Sequence, residues 1–122
     1  MTTGIIVFAH GSRVESANEA VRTVAADLAR AGGLQHVQAA FLELGRPDLE
    51  GAVALLAARG ADRIVIVPYF LTLGLHMERD LPRLVSDISS KYNGLQITVT
   101  PTLDGHPALI ELLVDRVKQA GG

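Results

Sequence analysis

The sequence contains no cysteine. This absence excludes a disulfide framework, a metal site built on thiolates and a thiol nucleophile. Any metal ion that the protein binds must therefore be held by histidine and carboxylate side chains.

The chain also lacks an excess of positive charge, since its formal net charge is -2. Binding to nucleic acid depends on clustered Lys and Arg, so no nucleic-acid partner is expected. No apolar run approaches the roughly 20 residues of a membrane-spanning helix, and the opening Met1-Thr2-Thr3 lacks the basic region that begins a signal peptide. We therefore expect a cytoplasmic protein without a membrane partner.

The composition is that of a globular protein. Hydrophobic residues make up 48% of the chain and charged residues 20%, and no segment is of low complexity. A chain of 122 residues can bury a hydrophobic core but is too short to divide convincingly in two. We therefore predict a single domain over residues 1–122.

Apolar runs and helical patterns alternate along the chain. The runs predict four strands, at residues 5–9, 37–42, 64–67 and 95–99. A stripe of apolar residues follows each run, and Ser16 and Glu19, at the start of the first stripe, match a capping box. Pro47 suits the first turn of the second helix, and Pro107 suits the first position of the fourth. Pro82 either lies in the first turn of the third helix or kinks it.

The order βαβαβαβα with short connections is typical of a parallel sheet. We predict a small doubly wound α/β domain, flavodoxin-like or chelatase-like, with a four-stranded parallel sheet and helices on both faces. A four-stranded sheet is narrow, so one edge or face is expected to need cover from a partner subunit.

Three polar residues lie where predicted strands end. His10 directly follows the first strand, Glu43 follows the second, and His76 ends the loop that leaves the third. Ligands of open parallel sheets bind beyond the carboxyl ends of the strands. If the first strand is central and is flanked by the second and third, these three side chains converge.

Two imidazoles and one carboxylate suit cobalt, nickel, iron or zinc, and an imidazole can also take a proton near neutral pH. Spacing alone does not exclude a simpler interpretation, in which His10 caps a turn, His76 caps a helix and Glu43 is an exposed carboxylate. The segment His10-Gly11-Ser12 could instead receive an anion at a helix start, including a substrate carboxylate, although no nucleotide-binding glycine motif is present. His36 is interpreted as a surface residue and His106 as a residue of a turn or of the rim of a cleft.

These residues lie in segments that resemble the short form of the sirohydrochlorin cobaltochelatases, the CbiX-type members of the class II tetrapyrrole chelatases. The matching segments are HGSR at residues 10–13, FLELGRPDL at 41–49, IVIVPYFLTLGLHMERDLP at 64–82 and HP at 106–107. The third segment is the most specific, and the resemblance covers nearly the whole chain. Many relatives have a glycine where this chain has Leu75.

The resemblance implies that His10 and His76 are the metal-binding and catalytic pair, assisted by Glu43. It also implies a homodimer that is equivalent to the two similar halves of longer relatives, with the tetrapyrrole between the halves. Sirohydrochlorin carries many carboxylates, which guanidinium groups bind bidentately. The predicted substrate-binding residues are Ser12, Arg13, Arg46, Arg79 and Arg83. Each arginine could equally be a solvated surface charge, and Phe70, Leu73, Leu75 and Met77 could be ordinary packing.

The resemblance implies insertion of a divalent metal, with cobalt favoured, into sirohydrochlorin during the biosynthesis of cobalamin or a related tetrapyrrole. The metal is then a substrate, and no tightly bound cofactor is expected. Insertion of iron or nickel into the same macrocycle is one alternative. The other is a carrier that binds the metal or the tetrapyrrole without accelerating insertion.

Overall fold

The computed structural model describes residues 1–122 as alternating strands and helices. The elements, in chain order, are β1 (Thr3–Ala9), α1 (Glu15–Gly32), β2 (Val37–Phe41), α2 (Leu49–Ala58), β3 (Arg63–Pro68), α3 (Leu75–Ser89), β4 (Gln96–Val99) and α4 (Pro107–Gln119). Each predicted strand and helix is present. No helix has the length and apolar character needed to cross a membrane.

The four strands form one parallel sheet in the order β2-β1-β3-β4. Strand β1 pairs with β2 on one side and with β3 on the other, and β4 pairs with β3 at the edge. The predicted doubly wound α/β fold is confirmed. The loops after β1, β2 and β3 consequently meet at one end of the sheet.

The sheet is covered by two separate layers of apolar side chains. On one face, Val7, Ala9 and Phe41 pack with Val21 and Ala25 of α1. On the opposite face, the strand residues that alternate with them pack against α2 and α3. Because β1 is buried on both faces, it reads in the sequence as a continuous apolar run.

Two predictions about helix starts are wrong. Helix α1 begins at Glu15 after Val14, which makes no side-chain cap, so Ser16 and Glu19 do not form a capping box. The loop before α1 is held in another way, because the Ser12 hydroxyl accepts a hydrogen bond from the Val14 N–H at 3.0 Å. Pro47 is likewise not in the first turn of α2: Asp48 caps that helix by accepting from the Gly51 N–H, and Pro47 precedes the cap.

Helix α3 begins earlier than the apolar pattern predicts. It starts at Leu75, so His76 lies in the first turn of the helix and not at the end of a loop. Pro82 is inside the helix and not in its first turn. Proline has no N–H, so residue 82 cannot donate the helical hydrogen bond to the carbonyl of Glu78, one turn earlier.

Helix α4 forms where predicted, with Pro107 in its first turn and the His106 side chain accepting a hydrogen bond from the Ala108 N–H. None of its residues is buried. Ile110 is 62% exposed, Leu113 52% and Val117 58%. The helix therefore has the predicted apolar residues, but its own domain leaves most of them exposed.

Candidate functional site

The loops after β1 and β2 approach each other closely. Gly11, next to His10, has a φ of +97°, and a Cβ at this position would lie 1.7 Å from the carbonyl oxygen of Glu43. Only glycine combines this backbone conformation with such a close approach. The glycine of the HGSR segment therefore allows the two loops to touch.

Backbone hydrogen bonds join these loops beyond the end of the sheet. The Leu42 N–H donates to the Ala9 carbonyl at 2.9 Å, and the Glu43 N–H donates to the His10 carbonyl at 3.1 Å. His10 Nε2 consequently lies 4.0 Å from Glu43 Oε1, and both side chains are more than half exposed. An imidazole and a carboxylate are thus adjacent and open to solvent.

His76 reaches the same end of the sheet from the first turn of α3. Its Nδ1 lies 3.2 Å from Nη2 of Arg79 on the same helix. A guanidinium can only donate hydrogen bonds, so Nδ1 is the acceptor in this contact. Arg79 therefore occupies the lone pair that this nitrogen would offer to a metal ion.

One cavity of about 380 Å³ contains both histidines. His10 and His76 line it together with Leu42, Phe70, Gly74, Leu75, Met77 and Asp80. The predicted convergence of the strand-end residues thus brings two imidazoles to a shared, mostly apolar cavity. Glu43 is adjacent through its contact with His10.

Asp80 was not among the residues predicted from the sequence. It lies four residues after His76 on α3, a spacing that puts two side chains on the same side of a helix, and it lines the cavity. That spacing within the HMERDLP segment is a signal that could have identified it. Asp80 also contacts Arg79, with Oδ1 3.5 Å from Nε.

The cavity does not form a closed metal cage. No three His, Asp or Glu side chains come together in an arrangement that could hold a metal ion. The predicted ligands His10 and His76 therefore leave coordination positions for other donors. An open set of this kind suits a metal that enters and leaves, as a substrate does, better than a structural ion.

The predicted substrate-binding residues are more scattered. Arg79 lies beside His76, whereas Arg46 borders a separate groove with Asp48 and Gly51. Arg13 and Arg83 are exposed. Ser12 is half-buried, and its hydroxyl accepts from the Val14 N–H, which gives it a role in shaping the loop. Their contacts with substrate stay predictions.

The other two histidines lie outside this cavity. His36 is half-buried just before β2, so its interpretation as a surface residue is only partly right. His106 is exposed in the turn before α4, where its imidazole caps the helix. The turn that was predicted for His106 is therefore present.

Comparison with known proteins assigns nearly the whole chain to one family. The CbiX family model matches residues 4–120. This chain belongs to the CbiX family. The resemblance inferred from the HGSR and HMERDLP segments is confirmed.

Several CbiX relatives have stated activities. A sirohydrochlorin cobaltochelatase from Saccharolobus solfataricus is 33% identical over 122 residues, which cover 95% of this chain and 94% of the relative. A chloroplastic sirohydrochlorin ferrochelatase from Arabidopsis thaliana is 31% identical over 94% of this chain. The match spans only 51% of that plant protein. This chain is therefore about half as long as some relatives and as long as others.

Solved structures agree with the fold. A cobalamin biosynthesis CbiX protein from Marinobacter aquaeolei VT8 superposes with a TM-score of 0.84 at 25% identity, covering 97% of this chain and 96% of that one. SirB from Bacillus subtilis, solved with Fe3+, superposes with a TM-score of 0.90 at 24% identity. It covers all of this chain with 48% of its own length.

Proposed function

We propose that this protein is a sirohydrochlorin chelatase that inserts a divalent metal, with cobalt favoured, into the macrocycle during the biosynthesis of cobalamin or a related tetrapyrrole. The observation that carries the proposal is the placement of His10 and His76 in one cavity with Glu43 beside His10. Membership of the CbiX family and the activities stated for its relatives support the choice of substrate.

The reaction requires a metal ligand and a proton acceptor at the same place. The divalent metal keeps its charge, forms bonds to the ring nitrogens and displaces two N–H protons. Imidazole nitrogens of His10 and His76 hold the incoming ion, and as the ion passes to the ring they are free to accept the pyrrole protons. The carboxylate of Glu43 offsets the positive charge that develops beside His10.

The cavity offers different surfaces to the flat macrocycle and to its peripheral carboxylates. Leu42, Phe70 and Met77 offer an apolar wall for the flat macrocycle. Arg79, at the cavity's edge beside His76, offers a guanidinium to a peripheral carboxylate. The macrocycle therefore lies against the wall with its acidic groups toward α3.

The test is the rate of metal insertion, followed by the absorbance of sirohydrochlorin with cobalt(II) and with and without protein. We expect His10→Ala and His76→Ala each to lose nearly all of the protein-dependent rate, because general acid-base help alone contributes about 100- to 10,000-fold. His106→Asn is the matched control, since it removes an imidazole outside the cavity and keeps a good helix cap. A wild-type rate in either alanine variant would show that its histidine is not catalytic.

The same assay separates the alternatives. A carrier would bind cobalt or sirohydrochlorin tightly and leave the insertion rate at its value without protein. Parallel anaerobic assays with cobalt, nickel and iron identify the metal, because imidazole and carboxylate ligands accept all three. Faster insertion of iron or nickel than of cobalt would replace cobalt in the proposal.

We propose that the active form is a homodimer in which α4 forms the contact. The helix has exposed apolar residues that its own domain does not cover, and large exposed apolar patches mark interfaces. A second copy is the proposed partner because this chain matches only half of the Arabidopsis relative, whose remaining length is about that of one more domain.

Light scattering tests the homodimer. We expect twice the chain mass for the wild type and a single chain mass for Leu113→Asp, which puts a charge on α4. Leu55→Asp is the control, because it adds the same charge to an exposed leucine of α2. A wild-type protein that stays monomeric at micromolar concentration with sirohydrochlorin present contradicts the proposed dimer.

A further inference from the structure

Asn18, on α1, is the one polar residue buried in this protein, with 1% of its surface exposed. Burying an amide away from water is unfavourable unless hydrogen bonds replace those made to solvent. A polar side chain at a core position of a helix therefore needs a structural or functional reason. The hydrogen bonds of Asn18 supply one.

The carboxamide of Asn18 connects the two loops that carry His10 and Glu43. Its Oδ1 accepts from the Ser12 N–H at 2.9 Å, and its Nδ2 donates to the Ser12 carbonyl at 2.9 Å. The same Nδ2 donates to the Leu44 carbonyl at 2.9 Å. Ser12 follows His10 in the loop after β1, and Leu44 follows Glu43 in the loop after β2.

Nδ2 of Asn18 also lies 3.4 Å from Glu15 Oε2. The Arg22 guanidinium, and after it this amide, holds the pKa of Glu15 below its usual value. Both polar atoms of the Asn18 carboxamide are thus hydrogen-bonded, and no buried side-chain nitrogen or oxygen of the chain lacks a partner.

The loop after β2 is shaped to meet Asn18. Leu44 has a φ of +58°, which leucine rarely adopts. A Cβ at Gly45 would lie 3.1 Å from Asn18 Nδ2 and 2.8 Å from Cγ of Phe41. The loop therefore takes up an unfavourable backbone conformation, close against α1, where Asn18 can bind its carbonyl.

We propose that Asn18 is a positioning residue that fixes how His10 and Glu43 lie beside each other at the edge of the cavity. It acts through the backbone of both loops and does not touch the substrate. The inference rests on the function proposed above for His10 and Glu43. It assigns to the carboxamide a task that needs a donor and an acceptor together, which neither a carboxylate nor a hydroxyl provides in the same shape.

The test variant is Asn18→Asp, which keeps the size and the acceptor for Ser12 but cannot donate to the two carbonyls. Val21→Ala is the matched control, because it removes packing from the same buried face of α1 and touches neither loop. If Asn18→Asp does not fold, Asn18→Ser, which is neutral and smaller, is measured in its place.

The first measurement is hydrogen exchange at the Glu43 amide, which donates to the His10 carbonyl, and it needs no activity. We expect exchange about tenfold faster in Asn18→Asp than in Val21→Ala, the effect of losing one to two neutral hydrogen bonds that hold the loops. Equal exchange in the two variants overturns the inference.

The second measurement is a double-mutant cycle on the insertion rate with Glu43→Gln. If Asn18 acts by placing His10 and Glu43 together, the double variant loses less rate than the product of the two single losses, because part of the effect of Asn18→Asp is already lost with the Glu43 carboxylate. The effect of Val21→Ala should instead multiply that of Glu43→Gln, since the two changes are independent. Independent effects for Asn18→Asp as well overturn the inference.

His10→Ala is measured in the same series so that the two ideas fail separately. A wild-type insertion rate in His10→Ala removes the proposed function, whatever the hydrogen exchange shows. If His10→Ala is inactive and Asn18→Asp is fully active, the proposed function stands and the positioning role of Asn18 is refuted.

Discussion

Replacing Gly11 with alanine should damage both stability and activity. The backbone at this position has a φ of +97°, and holding an L-residue there costs about 1–2 kcal/mol. The new methyl group would also lie 1.7 Å from the Glu43 carbonyl oxygen, which is backbone and cannot rotate away. Forcing extra atoms into a packed site costs about 1–3 kcal/mol more. We expect Gly11→Ala to lower the free energy of unfolding by about 2–5 kcal/mol.

Gly60→Ala separates the two contributions. Gly60 has a φ of +94°, almost the same as Gly11, but a Cβ there would meet no atom within 4 Å. Gly60→Ala should therefore lower the free energy of unfolding only by the cost of the backbone conformation, about 1–2 kcal/mol. Urea unfolding, followed by circular dichroism, gives both values under identical conditions.

Activity provides the second comparison. The clash in Gly11→Ala must push the loop of His10 away from that of Glu43, so insertion should slow in protein that is still folded. Gly60→Ala should insert metal at the wild-type rate. Equal stability losses in the two variants, or full activity in Gly11→Ala, would refute the view that the loops depend on this close approach.

Three further changes test single contacts. Arg79→Ala should bind cobalt(II) about 1.4- to 5-fold more tightly when no tetrapyrrole is present, because the guanidinium no longer competes for the lone pair of His76 at an exposed contact; calorimetry showing weaker binding would contradict this. Asp80→Asn should slow insertion and leave the fold intact if the carboxylate takes part in the reaction, and an unchanged rate at several pH values would show that it does not. Asp48→Ala should lower the free energy of unfolding by about 0.5–2 kcal/mol through loss of the cap on the Gly51 N–H, and an unchanged urea midpoint would argue against that cap.

The sheet and the meeting of the two histidines could be predicted from the sequence. Buried parallel strands appear as apolar runs, and right-handed crossovers leave few ways to order them. Once β1 is central, the loops after β1 and β3 must lie at the same end of the sheet. The positions of His10 and His76 then follow from the topology.

The local details depended on contacts that a sequence pattern does not contain. Ser16 and Glu19 satisfy a capping pattern, yet the loop before α1 is held by Ser12 and Asn18 instead. Asn18 lies at a buried position on α1. In the sequence it is only a polar residue within the apolar stripe, and the pattern does not reveal that it binds two loops. Its partner, the Leu44 carbonyl, is far along the chain, and nothing local to either residue predicts the contact.

For helix α4, the apolar pattern correctly predicted the helix but not what covers its apolar face. Apolar residues at helical spacing predict that one face will be covered, and they do not say which chain covers it. Within this domain α4 buries none of its residues, although α1, α2 and α3 all do. The cavity is incomplete in a similar way, because its two histidines leave metal coordination positions open. In the homodimer proposed above, the second copy would cover the apolar residues of α4 and would bring further donors to the metal. The oligomeric state and the insertion rate should therefore change together when α4 is altered, and a Leu113→Asp monomer with full activity would separate them.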